Sequence, residues 1–498
     1  MIKQLFRTLT AALVVSVSIA SCVTIQQSPV TGNKRIYGYS WEKEIEIGKQ
    51  ADSEIIAQYG LYEDEELGSY VSDLGQDLLQ VSHMRRDDTD SQFKNTEFTF
   101  RLLDSPVVNA FALPGGFVYV TRGLMAHLEN EAQLAVVLGH EIGHVAARHA
   151  SQRAAEQQFG QIAVIGGAIL GQSFGLDGGN ILQLSSQTAQ LLFLRYGRDD
   201  ERESDRLGVE YAAMKHYEAA EGAKFFTSLK RISEKAGVNI PSHLSTHPDP
   251  GEREQTIPRL AAQWSDRGYD QTIVNQKEYH ELLQGLMYGD NPREGFAENG
   301  YFYHPELEFQ FPVPGEFEVI NQRSAVILVN EARDAIVQMR LDSESADPQA
   351  SVNQITGQEG IEIVDQGAVN VNGLDAYSAT ADVSQEGGAT LRVKISALRF
   401  GGNLYRFLSY TEISQYDEYL NEFNAIFTGF DQLTDQNILN IEPVRLEIVT
   451  VQNADTFENL LPDILPMDID PQDIAIINQV NLTDRIEAGS MIKVPVQN

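Results

Sequence analysis

LGHEIGHVAARH, residues Leu138–His149, is the stretch that decides the fold. We expect it to be one helix, in which His140 and His144 lie about 400° and about 6 Å apart. Both imidazoles then project from one face, as one zinc ion requires of two nitrogen ligands, and Glu141 can reach a water on that ion. The alternative is a helix with two partly buried histidines. The pattern predicts a zinc-peptidase site with one ion per chain and an open coordination position.

A zinc peptidase needs a third protein ligand, and His149 is the first candidate. It follows His144 by five residues, which places it about 140° around the helix, and it therefore faces away from the ion. A metzincin would have a glycine and a histidine where this chain has Ala147 and Ala150. That class of zinc peptidase is therefore excluded.

The next candidate for the third ligand is a carboxylate from a second helix. The segment DDERESDRLGV, which begins at Asp199, offers Glu201 and Asp205 four residues apart. We expect Glu201 to bind the metal. Asp205, one turn further on, would accept the free N–H of a ligating histidine. An acidic first turn that only complements the helix dipole is the alternative.

Several motifs together resemble one known family. They are SPVTG (Ser28–Gly32), NAFALPGGFVYVTRGL (Asn109–Leu124), HEIGHVAARH (His140–His149), ERESDRLG (Glu201–Gly208) and STHPDPGER (Ser245–Arg253). Over roughly residues 29–260 the chain resembles the HtpX/BepA-type zinc endopeptidases, in their periplasmic branch. The resemblance implies that His140, His144 and Glu201 hold zinc and that Glu141 is the general base. One departure is Ser204, where many members have alanine, a small change expected at the surface.

The NAFALPGG motif is predicted to lie between two strands, Phe98–Leu103 and Gly116–Thr121. In zinc peptidases of this shape, an edge strand beside the HExxH helix pairs with the substrate backbone. The resemblance places that contact at Asn109 and Ala110. The Pro-Gly-Gly sequence at the end of the motif also predicts a plain turn, and both readings are compatible.

His247, in STHPDPGER, is the remaining candidate for chemistry. A loop histidine near zinc can stabilise the oxyanion of the tetrahedral intermediate, or it can occupy the open coordination position as a latch. The resemblance allows either role. Arg253 is expected to orient His247 or to bind substrate carbonyls. The alternative is a turn histidine that precedes Pro248.

The chain begins with a predicted export signal. Leu9–Ile19 is an apolar core of eleven residues, too short to span a bilayer. The sequence Ile-Ala-Ser-Cys that ends at Cys22 resembles a bacterial lipobox, and Cys22 is the only cysteine in the chain. We therefore expect lipidation at Cys22 and a protein held by its lipid anchor alone on the periplasmic face of the outer membrane.

Charge and the second apolar run limit the partners. With 37 basic and 71 acidic residues, the formal net charge of −34 repels phosphate backbones and excludes nucleic acid. The apolar run Ile162–Leu170 is too short to cross a membrane. We expect it to belong to a buried or mobile helical hairpin that shields the cleft. The alternative is a patch that meets unfolded clients or the bilayer surface.

The predicted fold class is α+β. A mainly helical gluzincin (HExxH) catalytic domain with a small edge sheet is followed by an α+β module and a small LysM-like module. The predicted boundaries are 1–21 for the lipoprotein signal peptide, 22–40 for a lipidated tether, 41–290 for the metallopeptidase domain, 300–435 for a PsbP-like α+β domain and 440–498 for the LysM-like domain. Ala454 stands where LysM modules usually have glycine.

The sequence thus predicts a zinc endopeptidase of the bacterial cell envelope. The resemblance implies that its substrates are unfolded, misfolded or stalled envelope proteins, and it allows a role beside the outer-membrane assembly machinery. Two alternatives remain open. One is a chaperone-like or scaffold lipoprotein with a mostly latched protease site. The other is a cell-wall-associated factor that binds peptidoglycan through the LysM-like module.

Overall fold

The computed structural model describes residues 24–162, 188, 191–192, 194–236, 247, 252–384, 390–467 and 469–497. The predicted signal peptide, Cys22 and all but the first residue of the run Ile162–Leu170 lie outside the described residues. Within the described ranges, no helix is both long and apolar enough to cross a membrane. These residues form two units, one comprising residues 24–162, 188–289 and 444–497 and the other residues 290–443.

Both units combine helices and strands, in agreement with the predicted α+β class. The helices are α1 Trp41–Tyr59, α2 Glu65–Val81, α3 Ser91–Lys94, α4 Arg122–His127, α5 Glu131–Ala147, α6 His149–Ile162, α7 Arg198–Met214, α8 Gly222–Ala236, α9 Arg253–Asp266, α10 Gln276–Leu282, α11 Pro348–Thr356, α12 Tyr416–Thr428, α13 Gln436–Leu439 and α14 Pro471–Ile477. The strands are β1 Thr24–Gln27, β2 Lys34–Tyr37, β3 Thr99–Leu103, β4 Ala110–Leu113, β5 Phe117–Thr121, β6 Phe296–Glu298, β7 Tyr301–His304, β8 Phe309–Pro312, β9 Phe317–Gln322, β10 Ala325–Asn330, β11 Ile336–Leu341, β12 Ile361–Val371, β13 Leu374–Ser384, β14 Thr390–Phe400, β15 Asn403–Glu412, β16 Asp431–Gln432, β17 Arg445–Thr450, β18 Asp455–Thr456, β19 Arg485–Ile486 and β20 Met491–Val496.

Helix α5 runs through the core of the first unit, and every residue from Ala132 to Ala147 is buried. A helix that is apolar on all sides is stable only inside a core, which explains this position. It packs closely on α7 because glycine lies at the crossing. A Cβ atom on Gly208 would lie 2.8 Å from the carbonyl oxygen of Val136, so a larger residue would push the helices apart. This close crossing sets the distance between the two predicted ligand helices.

A small three-stranded sheet flanks α5, in the order β3-β5-β4. Strands β3 and β5 were predicted, and they pair in parallel, whereas β4 pairs with β5 antiparallel across a tight turn. Gly115 and Gly116 form this turn with φ values of +83° and +104°, which residues with a side chain rarely adopt. The sequence predicts a loop between β3 and β5, but Ala110–Leu113 of this segment form strand β4 at the edge of the sheet.

Residues 24–37 form a hairpin, whereas the sequence predicts a tether over residues 22–40. Strands β1 and β2 pair antiparallel from Thr24, opposite Tyr37, to Gln27, opposite Lys34. Tyr37 is fully buried beneath the guanidinium group of Arg148, which lies 3.7 Å from its ring centre. The polar composition of the segment conceals this single buried anchor, and hence the hairpin.

The C-terminal segment belongs to the first unit. Strands β17 and β20 pair antiparallel, β18 pairs with β19, and α14 lies between them in the chain. Leu446 and Ile477 join the hydrophobic core of the first unit. The sequence predicts a separate LysM-like domain over residues 440–498, and the LysM identity stays a prediction.

The second unit is built on a seven-stranded antiparallel sheet in the order β12-β13-β14-β15-β11-β10-β9. A four-stranded sheet, β16-β8-β7-β6, accompanies it. Short runs of β-type residues in the sequence predict β8, β10, β11, β14 and β15, and residues 415–427 are predicted to form helix α12. The long strands β12 and β13 are not predicted. Strand β12 is mostly exposed, so it lacks the alternation of apolar and polar residues by which strands are recognised.

Candidate metal centre

Four side chains converge between helices α5 and α7. His140, His144, Glu201 and His247 each offer one ligand atom, and these atoms lie within 4.8 Å of one another. All four residues are at most 3% exposed. The structure therefore brings together the three residues predicted as ligands and the loop histidine predicted to lie near them.

The distances within this group suit one small cation. The Nε2 atoms of His140 and His144 are 2.9 Å apart, and each lies 3.5 Å from an oxygen of Glu201. Ligand atoms of a tetrahedral zinc ion are about 3.3 Å apart, given zinc–ligand distances of about 2.0–2.1 Å. His247 Nδ1 lies 3.2 Å from Glu201 Oε1, which places a fourth donor at a similar spacing.

Glu141 lies beside the group and is fully buried. Neither of its carboxylate oxygens has a hydrogen-bond partner in the part of the chain that the structure describes. The Nε2 atom of His247 lies 3.8 Å from Glu141 Oε1. Burial raises the pKa of Glu141, although the charges of His247 and His140 oppose the shift. A buried carboxylate without a donor suits a residue that accepts a proton from a water held nearby.

The other ring nitrogen of His140 is held as predicted. His140 Nδ1 lies 3.0 Å from Asp205 Oδ1, so the opposite nitrogen, Nε2, faces the metal group. Burial lowers the pKa of His140, but hydrogen bonds with Asp205 and Glu201 outweigh burial and raise it to about 9. The carboxylates thus create a negative potential where the histidine nitrogens converge, and this potential favours a bound cation.

Arg253 anchors these two carboxylates. Its Nε donates to Asp205 Oδ2 at 2.9 Å, and its Nη2 donates to Glu201 Oε2. The side chain is 1% exposed and lies over the ring of Phe226 at 4.4 Å. The sequence predicts that Arg253 orients His247 or binds substrate carbonyls. The contacts with Asp205 and Glu201 fix the acidic side of the metal group, and the two predicted roles of Arg253 stay predictions.

The helix prediction for Leu138–His149 is wrong at its end, because α5 stops at Ala147. Arg148 has a left-handed backbone with φ of +59°, and this bend turns His149 back toward His144. Their Nδ1 atoms are 3.0 Å apart. His149 is therefore outside the group of metal-binding atoms, as predicted, but it contacts a ligand of that group.

Two residues beside the metal group differ from expectation, because Tyr196 was not predicted to lie there and Ser204 was expected at the surface. The ring of Tyr196 stacks on His144 with 4.0 Å between ring centres. No motif marks this tyrosine, which lies on a segment without regular structure just before α7. Ser204, expected at the surface, is fully buried, and its Oγ lies 3.4 Å from His149 Nδ1. The reason is that α7 packs this face directly against Gly143 of α5.

The two residues predicted to contact the substrate lie at the start of strand β4. Ala110 begins the edge strand β4, and Asn109 immediately precedes it. The backbone N–H of Asn109 donates to Thr121 Oγ1 at 3.1 Å. Its side-chain Oδ1 is buried without a hydrogen-bond partner among the described residues. The edge beside α5 thus carries a spare acceptor.

Comparison with known proteins agrees with this geometry. Residues 79–261 match the sequence profile of peptidase family M48. This part of the chain is similar to the M48 peptidases. The match spans α5, α7 and the whole metal group, and it confirms the predicted metalloendopeptidase domain and its HtpX/BepA-type resemblance.

Three curated relatives of the M48 domain carry informative names. The putative beta-barrel assembly-enhancing protease of Vibrio cholerae is 32% identical over 194 residues, which cover 38% of this chain and 37% of that protein. The beta-barrel assembly-enhancing protease of Escherichia coli is 26% identical over 264 residues, or 51% of this chain and 52% of that protein. The mitochondrial metalloendopeptidase OMA1 of Bos taurus is 32% identical over 169 residues, or 32% of each chain.

The chain thus spans between about a third and about half of the length of these relatives. Among solved structures, the cyanobacterial PsbP protein of Synechocystis can be aligned with this chain at 12% identity and a TM-score of 0.22. The alignment covers 26% of this chain and 91% of the PsbP chain. That score is too low to support a shared fold. The PsbP-like identity of residues 300–435 stays a prediction.

Proposed function

We propose that this protein is a zinc-dependent endopeptidase of the bacterial cell envelope. The observation that supports the proposal is the convergence of His140, His144 and Glu201 around one point, with the unpartnered carboxylate of Glu141 beside it. A zinc ion held by the three ligands would supply acidification of a water and polarisation of the scissile carbonyl.

The residues of the chain carry the proton steps. Glu141 takes a proton from the attacking water while the water oxygen bonds to the carbonyl carbon. Glu141 then gives that proton to the departing amine nitrogen. Burial raises the pKa of Glu141, which makes its carboxylate a better proton acceptor. Asp205 keeps His140 in the tautomer that presents Nε2 to the metal, and Arg253 holds Asp205.

His247 carries a proposed regulatory role at the same site. Its Nδ1 is 3.2 Å from Glu201 and its ring belongs to the ligand group, so it can fill the fourth coordination position. A histidine in that position would exclude water and substrate and keep the protease latched. This placement also supports the alternative of a mostly latched chaperone-like protein. Stabilisation of the oxyanion remains the competing role for the same side chain.

Substrates are proposed to bind as an added strand. As an edge strand, β4 would pair through its backbone with an extended chain, and this suits unfolded proteins better than one peptide sequence. Asn109 and Ala110 lie at its start. We propose misfolded or stalled envelope proteins as substrates, in line with the names of the assembly-enhancing relatives. A lipid anchor at Cys22 on the outer membrane and a role beside the assembly machinery belong to the same proposal.

The test is a cleavage assay of the purified protein on an unfolded substrate such as casein, together with a measurement of bound zinc. Glu141→Gln should retain one zinc per chain but lose cleavage, because it removes the base and keeps every ligand. Glu201→Gln should lose most of the zinc. Full activity in Glu141→Gln would contradict the mechanism, and full zinc content in Glu201→Gln would contradict the ligand set.

A further inference from the structure

The second ring nitrogen of His144 has an unexpected partner. His144 Nε2 belongs to the metal group, and its Nδ1 lies 3.0 Å from Nδ1 of His149. A neutral histidine that presents Nε2 to a metal carries its proton on Nδ1. In this contact His144 must therefore donate, and His149 must accept through an unprotonated Nδ1.

This requirement fixes the tautomer of His149. With Nδ1 unprotonated, its proton lies on Nε2, which is 3.2 Å from Glu203 Oε2 and 3.8 Å from Asp200 Oδ1. The hydrogen bond to Glu203 thus runs in the same direction as the bond from His144. His149 is fully buried, so water cannot compete for either nitrogen.

Arg35 completes the chain of contacts from another part of the protein. Its Nη1 and Nη2 donate to the two carboxylate oxygens of Glu203 at 3.0 and 3.3 Å. This two-point contact holds the plane of the carboxylate. The positive charge of the guanidinium group, held at this distance, favours the anionic form of the carboxylate.

The backbone bend that places His149 is itself held in several ways. Arg148 adopts a left-handed conformation that costs an arginine about 1 kcal/mol. Its buried side chain donates to Glu44, to Gln26 and to the carbonyl oxygen of Tyr39, and these contacts offset that cost. A conformation supported by three separate segments has little freedom to move His149 away.

We propose that His149 and Glu203, with Arg35 behind them, are positioning residues that fix the tautomer and orientation of His144 toward the metal. The proposal rests on the function proposed above, in which His144 is a metal ligand. In this arrangement each ligating histidine has its own carboxylate. Asp205 contacts His140 directly, and Glu203 acts on His144 through His149. The anionic end of the chain strengthens His144 as a nitrogen donor.

The experiment measures the zinc affinity of the full protein by competition with a chromophoric chelator, and the visible absorption of the cobalt-substituted protein. His149→Ala should weaken zinc binding by about 10–100-fold and shift the cobalt bands, since partners of metal ligands typically contribute that much. Glu203→Ala should weaken binding in the same direction. Glu203→Gln should fall between Glu203→Ala and the wild type, because an amide oxygen still accepts from His149 but carries no charge.

A neighbouring position on α7 provides the control. Arg202 is exposed and pairs with Asp199 on the same turn of the helix, so Arg202→Met should leave zinc affinity and the cobalt spectrum unchanged. His144→Ala separates the two hypotheses, since full zinc content in that variant would overturn the proposed ligand set. If His144→Ala loses zinc while His149→Ala and Glu203→Ala bind it like the wild type, only the positioning role is overturned. If His149→Ala does not fold, the half-buried Glu203 variants decide the question.

Discussion

Lys493 in strand β20 holds the C-terminal segment onto the start of the HExxH helix, and its loss should destabilise the first unit. The lysine is fully buried, and its Nζ lies 2.8 Å from Glu129 Oε1. It also donates to the carbonyl oxygens of Ala126 and Leu128 at 3.0 and 2.7 Å. These three partners lie within the six residues that precede α5, more than 360 residues away in the chain.

The expected loss for Lys493→Met is about 3–5 kcal/mol in the free energy of unfolding, the usual cost when one partner of a buried ion pair is removed. Glu129 would stay buried, with His280 Nε2 at 3.2 Å as its neighbour of potential positive charge. The double variant Glu129→Gln/Lys493→Met leaves no buried charge behind. Its loss should be below about 2 kcal/mol, so the two changes are strongly non-additive.

Urea unfolding followed by tryptophan fluorescence is a suitable assay, because Trp41 and Trp264 are the only tryptophans and both lie in the first unit. Lys235→Met is the matched control. Lys235 joins the same C-terminal segment to α8 through Asp470 at 2.8 Å and through Asp473, but its side chain is 37% exposed. A pair so open to solvent contributes about 1 kcal/mol or less. Equal losses in Lys493→Met and Lys235→Met would refute the reasoning.

The same pair predicts a pH dependence of stability. Burial raises the pKa of Glu129, but the charge of Lys493 and the contact with His280 outweigh burial and lower it to about 2. A carboxylate whose pKa is depressed in the folded state stabilises the fold fully above its unfolded value of about 4.5. That contribution is lost as the pH falls from about 4.5 toward 2. In Lys493→Met the loss of stability over this acid range should be smaller than in the wild type.

Two further predictions concern His247 and the anchor. If His247 is a latch, His247→Ala should raise casein cleavage and the affinity for small chelating inhibitors. If His247 is an oxyanion donor, the same variant should lower turnover by roughly 10²–10³-fold and leave inhibitor binding unchanged. A variant with unchanged turnover and unchanged inhibitor affinity would reject both roles. Cys22→Ser should move the protein out of the membrane fraction or leave its signal uncleaved, and a mutant that stays membrane-bound after signal removal would argue against the lipid anchor.

The residues of the metal group can be predicted from the sequence because their arrangement depends largely on spacing within single helices. Spacing of four residues within a helix decides which side chains share a face, and this places His140 with His144 and Glu201 with Asp205 before any tertiary structure is known. The turn after β4 is equally local, because only glycine tolerates its φ values. The close crossing of α5 and α7 then brings the two helical pairs together.

The bend at Arg148 illustrates what local information cannot supply. Helical spacing carries His149 away from the metal, and a left-handed arginine is disfavoured by its own backbone. The bend is stable because Glu44 and Tyr39, from segments about a hundred residues earlier, bind the guanidinium group. The burial of Ser204 has the same origin, since it depends on which face of α7 meets α5 and not on the sequence around the serine.

Buried basic residues are the common element in these long-range contacts. The chain has 37 basic and 71 acidic residues. Among the residues that the structure describes, four lysine and arginine side chains of the first unit are at most 2% exposed, namely Arg122, Arg148, Arg253 and Lys493. A buried cation costs several kcal/mol unless its partners are all in place, so each tolerates one arrangement of its neighbours. Each also joins separate segments of the chain. Arg122 joins α4 to the loop after α10 at Met287, and Arg148 joins the end of α5 to the N-terminal hairpin. Arg253 joins α9 to α7, and Lys493 joins β20 to the residues before α5. Three of the four lie within motifs that the sequence shows, namely NAFALPGGFVYVTRGL, HEIGHVAARH and STHPDPGER. Their partners, however, are acids and carbonyl oxygens that many other positions of so acidic a chain could supply, and only the folded structure selects among them.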